Sequence, residues 1–74
     1  MREITGWNSN TVLVPHALWA AFLNKVRSDY TGRVNLLYRH ERWEMYYDPS
    51  VGATLKGPTG VLFWPNLKAM RGLV

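Results

Sequence analysis

Apolar residues recur at helical spacing in the segment PHALWAAFLNKVRSDY, and this pattern predicts one amphipathic helix over residues 15–29. The apolar positions that share one face are Leu18, Trp19, Ala21, Phe22, Leu23 and Val26. Pro15 suits the first helical position, because its φ is already helical and an N–H there would have no partner. Gly32, just past the end, suits a left-handed helix stop.

The segments RVNLLYR and RWEMYYD alternate between apolar and polar residues, which predicts a β-hairpin over residues 33–48. A pairing centred between His40 and Glu41 places one set of side chains on a common face: Val34, Leu36, Tyr38, Trp43, Met45 and Tyr47. The same register predicts these cross-strand partners: Arg33 with Asp48, and Leu37 with Glu44. Because His-Glu is a poor sequence for a tight two-residue turn, we expect a wider loop over residues 39–42.

The remaining segments complete a small sheet. Residues 1–10 read as an irregular arm, and the run TVLV at 11–14 predicts a short extended segment before Pro15. The Gly- and Pro-rich stretch PSVGATLKGPTG predicts a loop with a short strand at 53–56, and VLFW predicts a further strand over 60–64. The final tail, NLKAMRGLV, predicts a helical turn or loose packing. The expected fold is α+β, with one amphipathic helix packed on a small three- to four-stranded antiparallel sheet.

The chain has 74 residues, so its core must be small, and large aromatic rings are an effective way to build it. There is no Cys, which excludes disulfides and thiolate metal sites. No segment approaches the ~20 apolar residues of a membrane span, and the start, MREITGWNSN, lacks the pattern of a signal peptide. We therefore expect a single domain over residues 1–74 that is cytoplasmic, monomeric and free of membrane contact.

Catalytic chemistry is not indicated by the residue pattern. No hydroxyl lies at a spacing from His16 or His40 that is typical of an activated nucleophile. Two histidines without cysteine, at no ligand spacing, do not predict a metal site. The GPTG segment lacks the Lys-Ser/Thr ending of a phosphate-binding P-loop. We expect neither an enzyme nor a bound cofactor.

The formal net charge of +4 favours acidic partners: nucleic acid, an acidic protein surface, or both. Basic residues interleave with aromatic ones, a pattern that suits nucleic-acid binding, since bases stack on exposed rings and cations follow phosphates. The candidate contacts of this kind are Arg33, Arg39, Lys56, Lys68 and Arg71. Against this reading, Glu41, Glu44 and Asp48 interrupt the positive stretch and would repel phosphate.

A protein-binding module is the alternative, because exposed aromatics and arginines are typical interface anchors. The candidate contacts lie on the second face of the hairpin and on the amino-terminal arm: Glu3, Ile4, Trp7, Leu37, Glu41, Arg42, Glu44 and Tyr46. For Ile4 and Trp7 an equally good interpretation is that both fold back onto the core.

The chain length and the segments MREITGWNSN, RHERWEMYYDP and VLFWP carry a likeness over the full chain. The sequence resembles the small RNA-polymerase-binding transcription regulators of lytic Xanthomonas bacteriophages. That resemblance implies a non-enzymatic protein of the host bacterial cytoplasm that binds the amino terminus of the polymerase β′ subunit. It further implies inhibition of σ-dependent initiation and suppression of termination. If the β′ segment is rich in lysine, Glu3, Glu41 and Glu44 would supply complementary charge. A stand-alone nucleic-acid-binding domain stays the open alternative.

Overall fold

The computed structural model of this protein describes residues 1–71, and the end of the predicted tail, residues 72–74, lies outside the described part. The elements, in chain order, are β1 (Arg2–Thr5), β2 (Thr11–Val14), α1 (His16–Arg27), β3 (Gly32–Tyr38), β4 (Glu41–Asp48), β5 (Gly52–Gly57), β6 (Gly60–Trp64) and a 3-10 turn (Leu67–Ala69). Strands β3 to β6 pair in sequence order as one antiparallel sheet, and β1 pairs with β2 as a second, two-stranded sheet. The predicted α+β fold, with one helix on a small antiparallel sheet, is confirmed.

Helix α1 begins one residue later than predicted and ends at Arg27, two residues earlier. Pro15 occupies the N-cap position with an extended ψ of 138°, and no side chain caps the first turn. The physical reason is that proline offers no side-chain acceptor, so this helix start depends on packing rather than capping. The buried face is the predicted one: Leu18, Trp19, Phe22 and Val26.

The helix stop is made by Asp29, not by Gly32 as expected. Asp29 has a left-handed φ of 53°. Its N–H donates to Val26 O at 3.1 Å, and the N–H of Tyr30 donates to Lys25 O at 3.0 Å. This pair of bonds is the Schellman motif, and Asp is among the few non-glycine residues that tolerate the left-handed position.

The central hairpin turns more tightly than the sequence indicated. Tyr38 pairs with Glu41, so the loop consists only of Arg39 and His40, with φ angles of 49° and 67°. Two consecutive left-handed residues form a type I′ turn, whose twist matches that of the flanking strands. The expected loop over 39–42 was therefore wrong.

The tight turn moves the strand register by two residues from the predicted one. Leu36 faces Trp43, and Val34 faces Met45. Because side chains alternate with a period of two, this shift leaves the faces unchanged. Trp43, Met45 and Tyr47 share the inner face of β4 and are buried, as predicted. The predicted cross-strand pairs were wrong: Arg33 faces Tyr46, and Leu37 faces Arg42.

The amino-terminal residues are not an irregular arm. Strand β1 pairs with β2, and the loop between them lies against β6. The Trp7 N–H donates to Phe63 O at 2.7 Å, and the Asn8 and Asn10 side-chain amides donate to Val61 O at 3.0 and 2.9 Å. These bonds cover the outer edge of β6, which would otherwise offer unpaired backbone groups to other chains.

The core lies between α1 and the inner face of the four-stranded sheet. The rings of Trp19, Phe22 and Trp64 pack with centroid separations of 5.8 to 6.2 Å. Met45 and Leu55, from the two central strands, complete the layer and are almost fully buried. The other, outer face of the sheet carries side chains that are half-buried or exposed in the described residues. We therefore consider the outer face and the surroundings of the β1–β2 hairpin as candidate functional surfaces.

Candidate functional site

A cleft of about 340 Å³ opens where the β1–β2 hairpin meets the start of β4. Its lining is Met1, Thr11, Val12, Leu13, Glu41, Trp43, Pro58 and Thr59. Leu13 is 56% exposed although it is a leucine within a strand, because its neighbours Val12 and Val14 take the buried side of β2. We refer to this surface as the Glu41 cleft.

Glu41 is the one ionisable side chain among the described residues that line the Glu41 cleft. Glu41 is half-buried and, by strand alternation, lies on the same side of β4 as Trp43. Within residues 1–71 no cation lies within ion-pair distance of its carboxylate. Glu3 stands directly across from Leu13 in the β1–β2 pair. Leu13 therefore shares the cleft with Glu41 and has Glu3, which lies outside the cleft lining, as its cross-strand neighbour.

Trp43 lines the same cleft and carries a buried hydrogen-bond donor without a partner among the described residues. The residue is 3% exposed, and its indole Nε1 has no hydrogen-bond partner among the described residues. A buried donor without an acceptor costs about 1–3 kcal/mol. Because this nitrogen is itself buried, it belongs to the core and not to the surface that a ligand meets. The groups that the cleft presents are an apolar wall and a carboxylate, which suit a peptide with an apolar side chain and a nearby cation.

The outer face of the sheet gathers four of the predicted protein-binding residues: Leu37, Arg42, Glu44 and Tyr46. One pair of opposite charges lies within it. The Arg33 Nε lies 3.6 Å from Glu44 Oε1, and the Arg33 guanidinium lies 5.5 Å from the centroid of the Tyr46 ring. Leu37, at 66% exposed, is the apolar feature that stands out. The one carboxylate of this face that was predicted as a protein contact, Glu44, therefore already has a cationic partner.

A third surface is a groove of about 600 Å³ beside the β1–β2 loop. Its lining is Thr5, Gly6, Trp7, Trp64, Pro65, Asn66, Lys68, Ala69 and Arg71. Trp7 is 62% exposed. The groove brings Trp7, predicted as a protein contact, together with Lys68 and Arg71, predicted as nucleic-acid contacts. We refer to it as the Trp7 groove.

The predicted site residues thus separate into three surfaces and the core. Ile4 is only 9% exposed and folds back onto the core, which was the alternative interpretation of both Ile4 and Trp7. Trp7 does not fold back and stays exposed. Glu41 and Glu44 fall on opposite faces of β4. The predicted basic residues do not form one patch: Arg33 and Lys56 lie on the outer face, whereas Arg39 lies in the hairpin turn.

Leu13 was not predicted as a site residue, and Trp43 was predicted only as a core residue. In TVLV, Val12 and Val14 face inward and Leu13 alternates with them. This pattern would have predicted that Leu13 lies on the exposed side of the strand. No sequence pattern signals that the Trp43 indole N–H lacks an acceptor, because that depends on residues distant in the chain.

Neither a protein-family model, nor a curated protein, nor a solved structure matches this chain. Across the described residues, no helix is both long and apolar enough to cross a bilayer. Within the same residues, no three side chains of the His, Asp or Glu type are grouped so that they could hold a metal ion. Function is therefore inferred from the chemistry of the three surfaces and from the resemblance described above.

Two titratable groups with shifted pKa values lie at the far end of β4, away from these surfaces. Ser50 donates hydrogen bonds to Asp48 Oδ1 from its hydroxyl at 2.7 Å and from its backbone N–H at 2.9 Å, and these lower the pKa of Asp48. Burial raises the pKa of Tyr47, and the carboxylates of Asp29 and Asp48 raise it further. Both groups lie at the end of β4, and their pKa values are shifted because of contacts made in the folded state.

Proposed function

We propose that this chain is a bacteriophage-encoded regulator that binds host bacterial RNA polymerase at the amino terminus of the β′ subunit. Binding inhibits σ-dependent initiation and suppresses termination. The proposal is supported by the resemblance of MREITGWNSN, RHERWEMYYDP and VLFWP to regulators of that kind, and by a surface that suits peptide recognition. Such a protein acts by occupying a surface of the polymerase, so it breaks and forms no covalent bond.

The observation that carries the proposal is the composition of the Glu41 cleft. A carboxylate with no ion-pair partner in residues 1–71 lines the same cleft as an exposed leucine and the ring of Trp43. We place the β′ segment there, with an apolar side chain against Leu13 and a lysine beside Glu41. The outer face is the less favourable site, because Glu44 already interacts with Arg33.

Capture of polymerase from a nuclease-treated bacterial lysate tests the function itself. The tagged chain should recover polymerase after nuclease treatment, because the contact is with protein. Recovery that is lost with nuclease, or no recovery at all, would reject the proposal. Purified polymerase with a σ-dependent promoter should then show inhibition that rises with the concentration of the chain.

Glu41→Lys tests the placement of the β′ segment, and Glu44→Lys is the matched control. Both changes reverse one charge on β4, but only Glu41 lines the cleft. Reversal of a central interface charge costs about 2 kcal/mol or more, so affinity for polymerase should fall roughly 30-fold for Glu41→Lys. Glu44→Lys disturbs only a surface ion pair and should leave affinity within about twofold. The opposite ranking would place the contact on the outer face.

A further inference from the structure

The Trp7 groove differs from the other two surfaces because its charged residues are all basic. Lys68 and Arg71 line it, and no carboxylate of residues 1–71 does. The side-chain oxygen of Asn66 accepts the N–H of Ala69 at 3.0 Å, so the amide group of Asn66 keeps its NH₂ donors available. The groove therefore presents positive charge and donors, which are the groups that bind phosphate.

Trp7 is held in place while its side chain stays exposed. Its backbone N–H donates to Phe63 O at 2.7 Å. The preceding Gly6 donates to Asn10 O at 2.9 Å and accepts from Ser9 N–H at 3.0 Å, which closes the loop on itself. Asn8 and Asn10 fasten the same loop to Val61 O. The indole ring is thus an exposed flat surface on an anchored backbone, so binding does not have to order the loop that carries it.

The volume of the groove, about 600 Å³, lies in the range of clefts that enclose a small ligand or part of a chain. A fixed indole beside two cations is the combination that binds single-stranded nucleic acid, since bases stack on the ring and cations follow the backbone. An acidic peptide would match the charge, but it would leave the exposed face of Trp7 without a flat partner.

We propose that the Trp7 groove binds single-stranded nucleic acid, with one base stacked on Trp7 and adjacent phosphates bound by Lys68 and Arg71. The groove does not share residues with the Glu41 cleft, so this proposal does not rest on polymerase binding. A chain that binds protein through the acidic cleft and nucleic acid through the basic groove can hold both at once.

The test is fluorescence anisotropy of a labelled oligouridylate and a labelled oligothymidylate, each about ten nucleotides long, within the usual site sizes. Trp7→Ala should weaken binding roughly 5- to 150-fold, as expected for one stacked base, and Trp7→Phe should restore most of the affinity. The double change Lys68→Ala with Arg71→Ala should flatten the salt dependence by a log–log slope of about 1.4. Far-UV circular dichroism checks that each variant is folded.

The matched control removes two exposed cations outside the groove, through Arg27→Ala with Lys56→Ala. If the groove is the site, this control should retain affinity within about threefold at ~0.2 M salt. An equal loss in both double variants would show that only the net charge matters, and would overturn the proposal. It would also be overturned by wild-type binding too weak to saturate, by an unchanged affinity in Trp7→Ala, or by poly-glutamate competing as well as unlabelled oligonucleotide.

Discussion

The β3–β4 turn gives a sharp quantitative prediction, because both of its residues have left-handed φ angles without being glycine. Replacing Arg39 and His40 by Asn and Gly should stabilise the protein. A left-handed backbone costs a non-glycine residue roughly 1–2 kcal/mol, and asparagine and glycine tolerate it best. Asn-Gly is also the preferred sequence for a type I′ hairpin turn.

Two opposing contributions reduce the gain. Glycine adds about 0.5–1 kcal/mol of backbone entropy to the unfolded chain. The Arg39 guanidinium lies 5.5 Å from the centroid of the Tyr38 ring, and losing such an exposed contact costs about 0.5 kcal/mol. The net stabilisation should be about 1–2 kcal/mol, which raises the midpoint of thermal unfolding by about 4–16 °C for a domain of this size.

Thermal unfolding followed by circular dichroism measures the shift directly. A variant with alanine at both turn positions is the control, because it removes the same side chains but keeps the left-handed strain. It should be no more stable than the wild type. If Asn-Gly leaves the midpoint unchanged or lowers it, the two-residue turn between Tyr38 and Glu41 is wrong, and the register of the hairpin with it.

Two further changes probe packing in the core, and a third probes how the stability of the protein depends on pH. Phe22→Ala removes an almost fully buried ring and should cost about 3–5 kcal/mol, seen as a lower urea midpoint or as loss of the folded state. Gly57→Ala would place a Cβ against the Trp43 indole, and overpacking of about 1–3 kcal/mol should appear in the same titration. Asp48→Asn should destabilise at neutral pH but not at low pH. The hydrogen bonds from Ser50 lower the pKa of Asp48, so their stabilisation is present above its ordinary value and is lost as the pH falls through the folded value. A difference between wild type and Asp48→Asn that persisted at pH ~2 would contradict this assignment.

The inner faces of the elements could be predicted because each is encoded locally. The helical recurrence of Leu18, Phe22 and Val26 identified the buried stripe of α1. The alternation of Trp43, Met45 and Tyr47 identified the inner face of β4, even though the predicted register was displaced by two residues. A displacement by one strand period cannot change which side chains are buried.

The β3–β4 turn and strand β1 could not be predicted from local sequence preference. Arg39 and His40 are not the Asn-Gly or Asp-Gly pair that signals a type I′ turn, so nothing in the local sequence indicated two left-handed residues there. Strand β1 has only four residues, and Ile4 is its one buried side chain, so the alternation was too short to recognise. Its pairing with β2 and the hydrogen bond from Asn8 to β6 depend on the tertiary structure, which the local sequence does not encode.

The candidate sites were predictable as residue types but not as groups. Exposed charges and aromatics could be named as candidates from the sequence, yet their assembly depends on which strands become neighbours. Trp7 and Arg71 are distant in the chain and meet in one groove, whereas Glu41 and Glu44 are close in the chain and lie on opposite faces. The alternation of β4 could have separated the latter pair from sequence alone.

The most direct test of the proposed function is a titration of the isotope-labelled chain with a peptide from the β′ amino terminus, followed by amide and indole NMR shifts. We expect saturable shifts at the amides of Leu13, Glu41 and Trp43, which line the cleft. Shifts confined to the outer-face residues Leu37 and Tyr46, or amide signals of Leu13 and Glu41 that do not move, would contradict the placement of the peptide in the Glu41 cleft.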